Sequence, residues 1–540
     1  MSKINILDLP QDVIINSIIP ELDRADINCL GRTCHAFETL TQDSTVYRHL
    51  YAKTFGHNPV PLSFTSTKWP ELYKLRSTGK LYTWGKSGGC RLGYSLKEVP
   101  RSHLDRRRFS VNIILPTLVE RLGNSVLADV SGGGFSFQIL TEDGTLYFTG
   151  SSWHGGLKGP GPVDRDRISE NPPRTHHGPG VPPMPRHPLI PLPRITTMPP
   201  IETQTARITD LLPEHHDSPI NSALAQPNEV REATGVLTKV KIDSERKILT
   251  VSSGRSHFIA LDDSGTVWSW DCPQQKVKGI KLSFNKPNNE PLNNSSNIIT
   301  QISAGWNLSS IYVLNVGIVV WKSRDSFDRS KSAVQAHYKV VPNTGSNNEE
   351  QVIDLVALNS AIIYITKSGK CYLVKVDDIE TVPITEPIPL DSFNRYKPDS
   401  SYSSDDVKFI KLSGSFKTFA AFTDDGQVLI GDLNNLNFVK VIESLQHKDC
   451  ISISVGDYHF LALLRDKTML SWGRESQYCG CLGLGDGKQF VERGLGTQDD
   501  GGYTIISPTP ITVEGQVLAI AAGGWQSAAI ISNGAVDKSF

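Results

Sequence analysis

A hairpin pattern recurs along most of this 540-residue chain, and it restricts the fold more than any other feature. Most copies have an apolar run, a turn that pairs glycine with a polar residue, and a second apolar run, as in residues 258–270. The turn residues are Gly144, Gly265, Gly317, Gly369, Gly426 and, in a sixth copy, Lys467. Glycine adopts positive φ without steric cost, so each copy predicts two strands joined by a two-residue turn.

The spacing between these turns is that of propeller blades. Successive turn residues lie 121, 52, 52, 57 and 41 positions apart. A further strand precedes each hairpin, and in most copies it ends near a glycine, as in residues 248–257. Small residues at this position let neighbouring blades approach closely. A repeat of about 40 to 57 residues with four strands is typical of a β-propeller rather than of a helical array.

The two ends of the array complement one another. Residues 517–532 supply an inner pair of strands, whereas residues 79–85 and 111–122 supply two strands that lack an inner pair. We therefore expect one composite blade built from both ends, which with six complete blades gives seven. Closing the ring in this way removes the strand edges that would otherwise pair with other chains.

Two copies extend beyond the hairpin into a longer pattern. Residues 251–271 and 455–486 contain Gly-x-x-His before the hairpin, and the second copy continues through Trp472-Gly473 to a Leu-Gly loop. These features resemble the regulator-of-chromosome-condensation repeat over residues 79–536, with degenerate middle blades, and the resemblance implies a seven-bladed propeller. The alternative, a WD40 repeat, fits less well because glycine follows Trp84 and Trp472.

One blade is interrupted by a proline-rich segment. Residues 155–235 hold 16 of the 33 prolines, a composition that cannot form a strand ladder. We expect a disordered surface insertion within the propeller. A contact with a proline-reading partner through a Pro-x-x-P motif is the alternative to a tolerated loop.

The first fifty residues have helical rather than strand periodicity. Ile14, Ile18 and Leu22 recur at i, i+4 and i+8, which predicts an apolar helix face. Pro20 should end or kink this helix, and Asp23 can cap a second one. Residues 69–76 predict another short helix.

The order of apolar residues in residues 1–50 resembles the F-box family. The matching residues are Leu9-Pro10, Val13-Ile14, Ile18-Ile19, Leu22, Asp26, Leu30, Cys34, Phe37, Leu40, Asp43 and Val46-Tyr47. The resemblance implies docking on a Skp-type adaptor, and through it a cullin. The residues assigned to docking are Leu9, Pro10, Ile14, Ile18, Leu22 and Tyr47. Residues 51–78 are predicted to be a helical linker. The alternative is a small helical cap on the propeller.

Composition and motifs argue against several kinds of chemistry. The formal net charge is −1, which disfavours nucleic acid as a partner, and no apolar run is long enough for a membrane span. Residues 85–93 lack phosphate-loop spacing, and the eight cysteines contain no C-x-x-C pair. His257 and His459 are interpreted as packing residues. We therefore predict no catalytic residue, no metal and no cofactor.

The expected architecture is multi-domain, a small all-α F-box followed by an all-β propeller. The family resemblances imply the non-catalytic substrate-recognition subunit of an SCF (Skp–cullin–F-box) ubiquitin ligase, whose propeller binds a protein substrate for ubiquitination and degradation. The substrate and its binding face are unknown. The alternative is a guanine-nucleotide exchange factor for a small GTPase. We expect a cytoplasmic or nuclear location, or both.

Overall fold

The computed structural model places helices in the first part of the chain and strands from Lys80 onward. It describes residues 6–55, 68–107, 110–150, 152–153, 236–271, 277–322, 333–377, 379, 382–397, 407–447 and 450–534. The α-helices are α1 (Gln11–Val13), α2 (Arg24–Gly31), α3 (His35–Thr41), α4 (Ser44–Phe55), α5 (Trp69–Ser77), α6 (Asp391–Asn394) and α7 (Lys488–Glu492). The predicted short helix at residues 69–76 is therefore present as α5.

Pro20 shapes the first helical segment. Helix α1 continues through a π-helical turn, Ile14–Ile18, and a 3-10 turn, Ile19–Glu21. Proline has no N–H to donate, and its ring crowds the carbonyl one turn back, so a wider turn precedes it. The backbone becomes extended at Leu22, which confirms that the helix ends beside Pro20.

Side chains satisfy the backbone groups where this segment passes into α2. Lys53 of α4 donates from Nζ to the carbonyl oxygens of residues 20–22, at 3.2–3.3 Å. The Asp23 carboxylate accepts a hydrogen bond from the Asp26 N–H at 2.9 Å and caps α2, as predicted. The free carbonyl groups at the end of the first helical segment and a free N–H group at the start of α2 thus have hydrogen-bond partners within the helical region. These bonds fix the turn between the two helices.

The strands form seven sheets, numbered here as blades. Blade 1 contains β1 (Lys80–Lys86), β2 (Leu104–Arg107), β3 (Ser110–Leu118), β30 (Gln516–Gly523) and β31 (Gln526–Ser532). Blade 2 contains β4 (Leu127–Gly132), β5 (Phe137–Thr141), β6 (Leu146–Thr149) and β7 (Leu237–Lys239). Blade 3 contains β8 (Ile248–Ser253), β9 (Phe258–Asp262), β10 (Val267–Trp270), β11 (Ile280–Ser283) and β15 (Ala333–Gln335).

In each remaining blade the strand that comes first in sequence is the innermost, and in blade 7 strand β29 lies between β27 and β28. Blade 4 contains β12 (Ile299–Ala304), β13 (Leu308–Val313), β14 (Gly317–Lys322) and β16 (Lys339–Val340). Blade 5 contains β17 (Val352–Ala357), β18 (Ala361–Thr366), β19 (Cys371–Lys375) and β20 (Ile388–Pro389). Blade 6 contains β21 (Phe409–Ser415), β22 (Thr418–Thr423), β23 (Val428–Asp432) and β24 (Lys440–Val441). Blade 7 contains β25 (Cys450–Val455), β26 (His459–Leu464), β27 (Met469–Ser476), β28 (Gly496–Asp499) and β29 (Gly502–Pro510).

Blade 1 is built from both ends of the array. Strand β1 pairs with β3 on one side and with β31 on the other, where Tyr82 lies opposite Ala529. Strand β31 pairs in turn with the innermost strand β30. The predicted fold class, a small helical region followed by a seven-bladed propeller closed by strands from both ends, is confirmed.

The hairpin turns are one residue longer than predicted. The Gly144 N–H donates to the Thr141 oxygen at 2.9 Å, and the Thr141 N–H donates to the Thr145 oxygen at 3.0 Å. Three residues therefore separate the paired strand ends, with Gly144 last and at φ +81°. A left-handed residue at the end of a turn adds a bulge to the hairpin, which the Asp-Gly sequence alone does not distinguish from a two-residue turn.

Buried tryptophans lie near the ends of several third strands and pack between strands and blades. Trp270 stacks on Phe258 with ring centroids 4.6 Å apart, and Trp472 stacks on Phe460 at 5.0 Å. Trp84 is fully buried, and its indole N–H donates to the Cys481 oxygen in blade 7 at 2.9 Å. The Trp-Gly ends of the repeat are therefore structural.

The domain boundaries stay predictions. Helix α4 runs across the boundary expected at residue 50 and ends at Phe55. The insertion predicted at residues 155–235 lies outside the described residues.

Candidate functional site

The six residues predicted to dock an adaptor differ in exposure. Pro10 is exposed. The half-buried residues are Leu9, Ile18, Leu22 and Tyr47. Ile14 is only 1% exposed and belongs to the core of the helical region, because its turn packs on α4. The docking role of all six residues, Ile14 included, stays a prediction.

Sequence reasoning missed three exposed apolar residues at the start of the helical region. Ile6, Leu7 and Val13 are 40%, 39% and 38% exposed. With Pro10 they form what we call the N-terminal apolar surface. The signal was available, since Ile6-Leu7 directly precedes the Leu-Pro pair and Val13 follows Pro10 at helical spacing.

Tyr47 lies at a different place from the N-terminal apolar surface. Its ring meets that of Tyr73 in α5 edge to face, with centroids 5.8 Å apart. It lines a cavity of about 330 Å³ that also includes Arg24 and Lys74. Burial raises the pKa of Tyr47, and Arg24 opposes that shift. Tyr47 thus contributes to the junction between the helices.

Helix α5 fastens the helical region to the propeller through buried polar contacts. The Arg76 guanidinium is 2% exposed and donates to the carbonyl oxygens of Leu127 and Ala128 at 3.1 and 3.2 Å. Its charge also lies over the Phe55 ring, 4.8 Å from the centroid. The Tyr73 hydroxyl donates to Glu142 at 3.1 Å. These contacts hold the two parts in one orientation.

The position of Arg76 distinguishes the two faces of the propeller. Arg76 contacts β4 where this inner strand begins, at Leu127, and the six-residue strand ends at Gly132. Six extended residues span about 20 Å, so the loop at residues 133–136 lies on the face away from α5. We call this the loop face. The chain leaves the described part after Trp153 and returns at Val236 on the same face, where Gly150 N–H donates to the Val236 oxygen.

The loops that follow the inner strands join one another around the central axis of the loop face. The donor and acceptor pairs are Gly134 N to Arg255 O (3.0 Å), Trp306 N to Leu358 O (3.2 Å), Asn359 N to Phe416 O (2.7 Å) and Asp457 N to Gly524 O (3.0 Å). Each bond connects adjacent blades. The side chains of these loops are therefore brought together although their residues are far apart in the sequence.

Cations and aromatic rings alternate along part of this ring of loops. We call the six residues Arg91, Phe135, Arg255, Trp306, Phe416 and Lys417 the cation–ring series. The distances to ring centroids are 5.5 Å for Arg91 over Phe135, 5.8 Å for Arg255 over Phe135, 4.6 Å for Arg255 over Trp306 and 5.4 Å for Lys417 over Phe416. The Trp306 and Phe416 centroids are 4.4 Å apart. Contacts of this kind between a charged group and a ring hold each Arg or Lys side chain in a fixed orientation.

A buried carboxylate accompanies the series. Asp457 is 8% exposed, and neither carboxylate oxygen has a hydrogen-bond partner among the described residues. Burial raises its pKa to about 7, while Arg255 and Arg91 oppose that shift. Burial lowers the pKa of Arg91 to about 10. The Nη1 group of Arg91 and the indole N–H of Trp525 are buried and equally unpaired within the described chain.

The aromatic residues that follow the glycines at the ends of the inner strands differ in how far their side chains are exposed. Trp306 and Trp525 are 9% and 8% exposed and pack among the loops, whereas Tyr458 is 41% exposed. His257 and His459 are buried, and their Nε2 atoms lie 2.9 and 2.7 Å from serine hydroxyls on the next blade. These histidines therefore connect blades.

The described residues contain no group of three or more His, Cys, Asp or Glu side chains arranged to hold a metal ion. None of their helices combines the length and the apolar composition needed to cross a membrane.

Comparison with known proteins finds one repeat family within a blade and two relatives that match nearly the whole chain. The regulator of chromosome condensation (RCC1) repeat family matches residues 450–481, within blade 7. SCF-associated factor 1 of Saccharomyces cerevisiae is 26% identical over 646 aligned residues, which cover 96% of each chain. F-box protein pof9 of Schizosaccharomyces pombe is 23% identical, over 98% of this chain and 91% of its own. This chain is a homologue of both proteins.

Other similarities are shorter or more distant. Probable E3 ubiquitin-protein ligase HERC6 of Homo sapiens is 37% identical over 109 residues, which are 20% of this chain and 9% of that protein. The structure of Prp20p from Saccharomyces cerevisiae covers 84% of this chain and 92% of its own, with a TM-score of 0.47 and 13% identity. Human WBSCR16 covers 84% and 99%, with a TM-score of 0.49 and 14% identity.

Proposed function

We propose that this chain is the substrate-recognition subunit of an SCF ubiquitin ligase. The helical region docks on a Skp-type adaptor, and the propeller binds a protein substrate for ubiquitination and degradation. The observation that carries the proposal is an exposed N-terminal apolar surface held by α5 on the face opposite a set of joined loops. The names of the two full-length relatives, an SCF-associated factor and an F-box protein, support it.

In this proposal the chain contributes position rather than catalysis. The cullin carries the ubiquitin-charged enzyme, and the propeller holds the substrate within its reach. The rate of ubiquitin transfer then depends on the effective concentration of substrate, which the junction between the helical region and the propeller sets. The buried contacts of Arg76 and Tyr73 support this role, because a loose joint would lower that concentration.

The docking step is tested by adding charge to the N-terminal apolar surface. Val13→Asp should weaken binding of the purified Skp-type adaptor by about tenfold or more, since a carboxylate would be desolvated in the interface. The Leu9→Ala, Pro10→Ala double variant should also bind more weakly. Titration calorimetry measures both affinities.

The matched control is Phe438→Asp on the propeller, where the side chain is 64% exposed. It makes a comparable change of an exposed apolar residue at a remote site and should leave the adaptor affinity unchanged. Adaptor affinities equal to wild type for the Val13 and the Leu9–Pro10 variants would refute docking through this surface.

Nucleotide exchange on a small GTPase stays the alternative prediction. An exchange assay with a panel of purified GTPases addresses it directly. Acceleration of nucleotide release by the full chain, unaffected by Val13→Asp, would favour this alternative. The proposed ligase role places the chain in the cytoplasm or the nucleus, which imaging of a tagged chain can check.

A further inference from the structure

The geometry points to a specific binding chemistry for the loop face. We infer that the cation–ring series at the central axis binds an acidic segment of a protein partner, with aspartate or glutamate side chains paired to Arg255 and Lys417. This deepens the proposed function and rests on it for the statement that the partner is a ligase substrate. The binding chemistry itself rests on the residues of the loop face.

The series presents its charges in fixed positions. Arg255 is held over two rings, those of Trp306 and Phe135, and Lys417 lies over Phe416. Both cations are half-buried, so part of each stays accessible. A stacked guanidinium loses little freedom when a carboxylate binds, and the aromatic surroundings strengthen the charge-assisted hydrogen bond.

One buried donor of the series and one beside it lack partners within the described chain. They are Nη1 of Arg91, which is 8% exposed, and the indole N–H of Trp525, also 8% exposed. Donors left unpaired in such a position favour a ligand that brings acceptor oxygens. Carboxylates supply such oxygens and also match the charge of the cations.

The charge pattern of the whole face favours a short acidic peptide segment over nucleic acid. The cation–ring series supplies three cations among the described residues, but the outer loops carry exposed carboxylates such as Asp432 and Asp486. A phosphodiester chain needs an extended basic track, and the formal net charge of this chain is −1. An acidic side chain needs only the central cations.

Asp457 makes this binding depend on pH. Its carboxyl faces Arg255 from blade 3, Arg91 from the loop after β1 and the Cys481 thiol from the loop after β27. Cys481 in turn faces Cys479 and Glu475, and burial raises the pKa of the Cys481 thiol. Because burial raises the Asp457 pKa to about 7, this carboxyl takes up a proton as the pH falls through neutrality. The arginines then lose their internal counter-charge, and an acidic ligand binds more tightly.

The test uses the full chain and a fluorescent ten-residue peptide of alternating glutamate and glycine, followed by anisotropy. Binding should be tighter at pH 6 than at pH 8, and it should weaken with added salt. Arg255→Gln and Lys417→Gln should each reduce the affinity by about tenfold. Asp457→Asn should bind more tightly than wild type at pH 8 and lose the pH dependence. A gain of affinity with an unchanged midpoint of thermal unfolding is not expected from a misfolded variant.

The matched control is Arg246→Gln, which removes the same charge from an exposed site beside Asp263, at the turn end of blade 3. It should leave the peptide affinity unchanged. Comparable thermal unfolding of all four variants shows that the fold is intact. The comparison ligands are the glutamine and lysine versions of the peptide and a fifteen-residue oligothymidylate.

Several results would overturn the inference. They are equal binding of the glutamine peptide, preferred binding of the lysine peptide, tighter binding of oligothymidylate through the same residues, or unchanged affinity in the Arg255 and Lys417 variants. Adaptor binding is measured on the same samples. Peptide binding without adaptor binding would refute the proposed function and leave this inference standing. Adaptor binding without peptide binding would refute only the inference.

Discussion

At the scale of single residues, the Gly-x-x-His motif is a device for joining blades. His257 and His459 lie almost fully inside the protein, at 3% and 1% exposed. Each imidazole meets a serine hydroxyl of the following blade, Ser309 or Ser527. The glycine three residues earlier leaves room for the ring, since a Cβ on Gly254 would lie 2.3 Å from a carbon of the His257 ring.

These histidines should make the fold sensitive to mild acid. Burial lowers the pKa of both His257 and His459 to about 4, from an ordinary value of 6.5. The unfolded chain therefore binds protons between pH 6.5 and pH 4 that the folded chain excludes, and stability falls as the pH drops through that window. The loss is up to about 3 kcal/mol for each histidine. Urea unfolding at pH 7.5, 5.5 and 4.5 measures it.

The control for this prediction compares variants of the buried histidines with a variant of an exposed one. His257→Gln and His459→Gln should flatten the fall in stability with acid, whereas His35→Gln, at an exposed site in α3, should leave it as in wild type. An unchanged pH profile in the His257→Gln, His459→Gln double variant would contradict the assignment.

At the scale of elements, every innermost strand has an irregularity near its start. The register shifts lie between Leu127 and Asp129, Ile248 and Thr250, Ile299 and Gln301, Val352 and Asp354, Phe409 and Lys411, Cys450 and Ser452, and Val517 and Ala519. A bulge leaves one residue of the inner strand unpaired and turns its side chain away from the neighbouring strand. Leu249, Ile353 and Ile410 are consequently 55%, 44% and 41% exposed. Apolar alternation predicted these strands but not the bulges, which depend on pairing with the neighbouring strand.

Two glycine substitutions separate backbone strain from close packing around an inner loop. Gly265 lies at φ +79° in a hairpin turn with nothing within 4 Å of an added Cβ, so Gly265→Ala should destabilise by about 1 kcal/mol through strain alone. A Cβ on Gly254 would lie 2.2 Å from the Gly305 oxygen of blade 4. Gly254→Ala should therefore destabilise more, by roughly 2–3 kcal/mol.

Chemical denaturation of the two alanine variants, followed by circular dichroism, measures the difference between them. Gly265→Ala is itself the control for the intrinsic effect of replacing glycine. Equal losses of stability at the two sites would show that the Gly305 oxygen and the His257 ring do not constrain this inner loop as the structure indicates.

At the scale of the whole molecule, the ring depends on strands from its two ends. Strand β1 pairs with β31 over residues 80–85 and 526–531. Trp84 and Asn112 also donate hydrogen bonds to the loop after β27, at 2.9 Å each. The first strands of the propeller are thus held by its last blade and its last strands.

Truncation after Gly515 should open the ring. It removes β30 and β31, which leaves β1 with an unpaired edge, and exposed edges promote association between chains. We expect a lower midpoint of thermal unfolding, by roughly 10 °C or more, and oligomers in light scattering. Truncation after Gly534 retains both strands and is the control. A monomeric protein with an unchanged midpoint after the longer truncation would contradict this account of closure.

The sequence by itself determined the number of blades, the location of the turns and the composite blade. These features follow from local patterns, namely apolar runs that form strands and glycines that accept left-handed backbone, and counting them needs no tertiary information. The helical start and its caps followed in the same way, since Asp23 and Pro20 act on the backbone next to them.

Only the tertiary structure decided which residues are available for binding. Helical periodicity placed Ile14 on an apolar face but could not show that α4 covers it. Arg91, Arg255 and Asp457 are more than 150 positions apart from one another in sequence, and no local pattern relates them. They come together because a closed ring brings the loops of one face toward one axis. The sequence thus determined the blades, and the closure of the ring decided what their loops present.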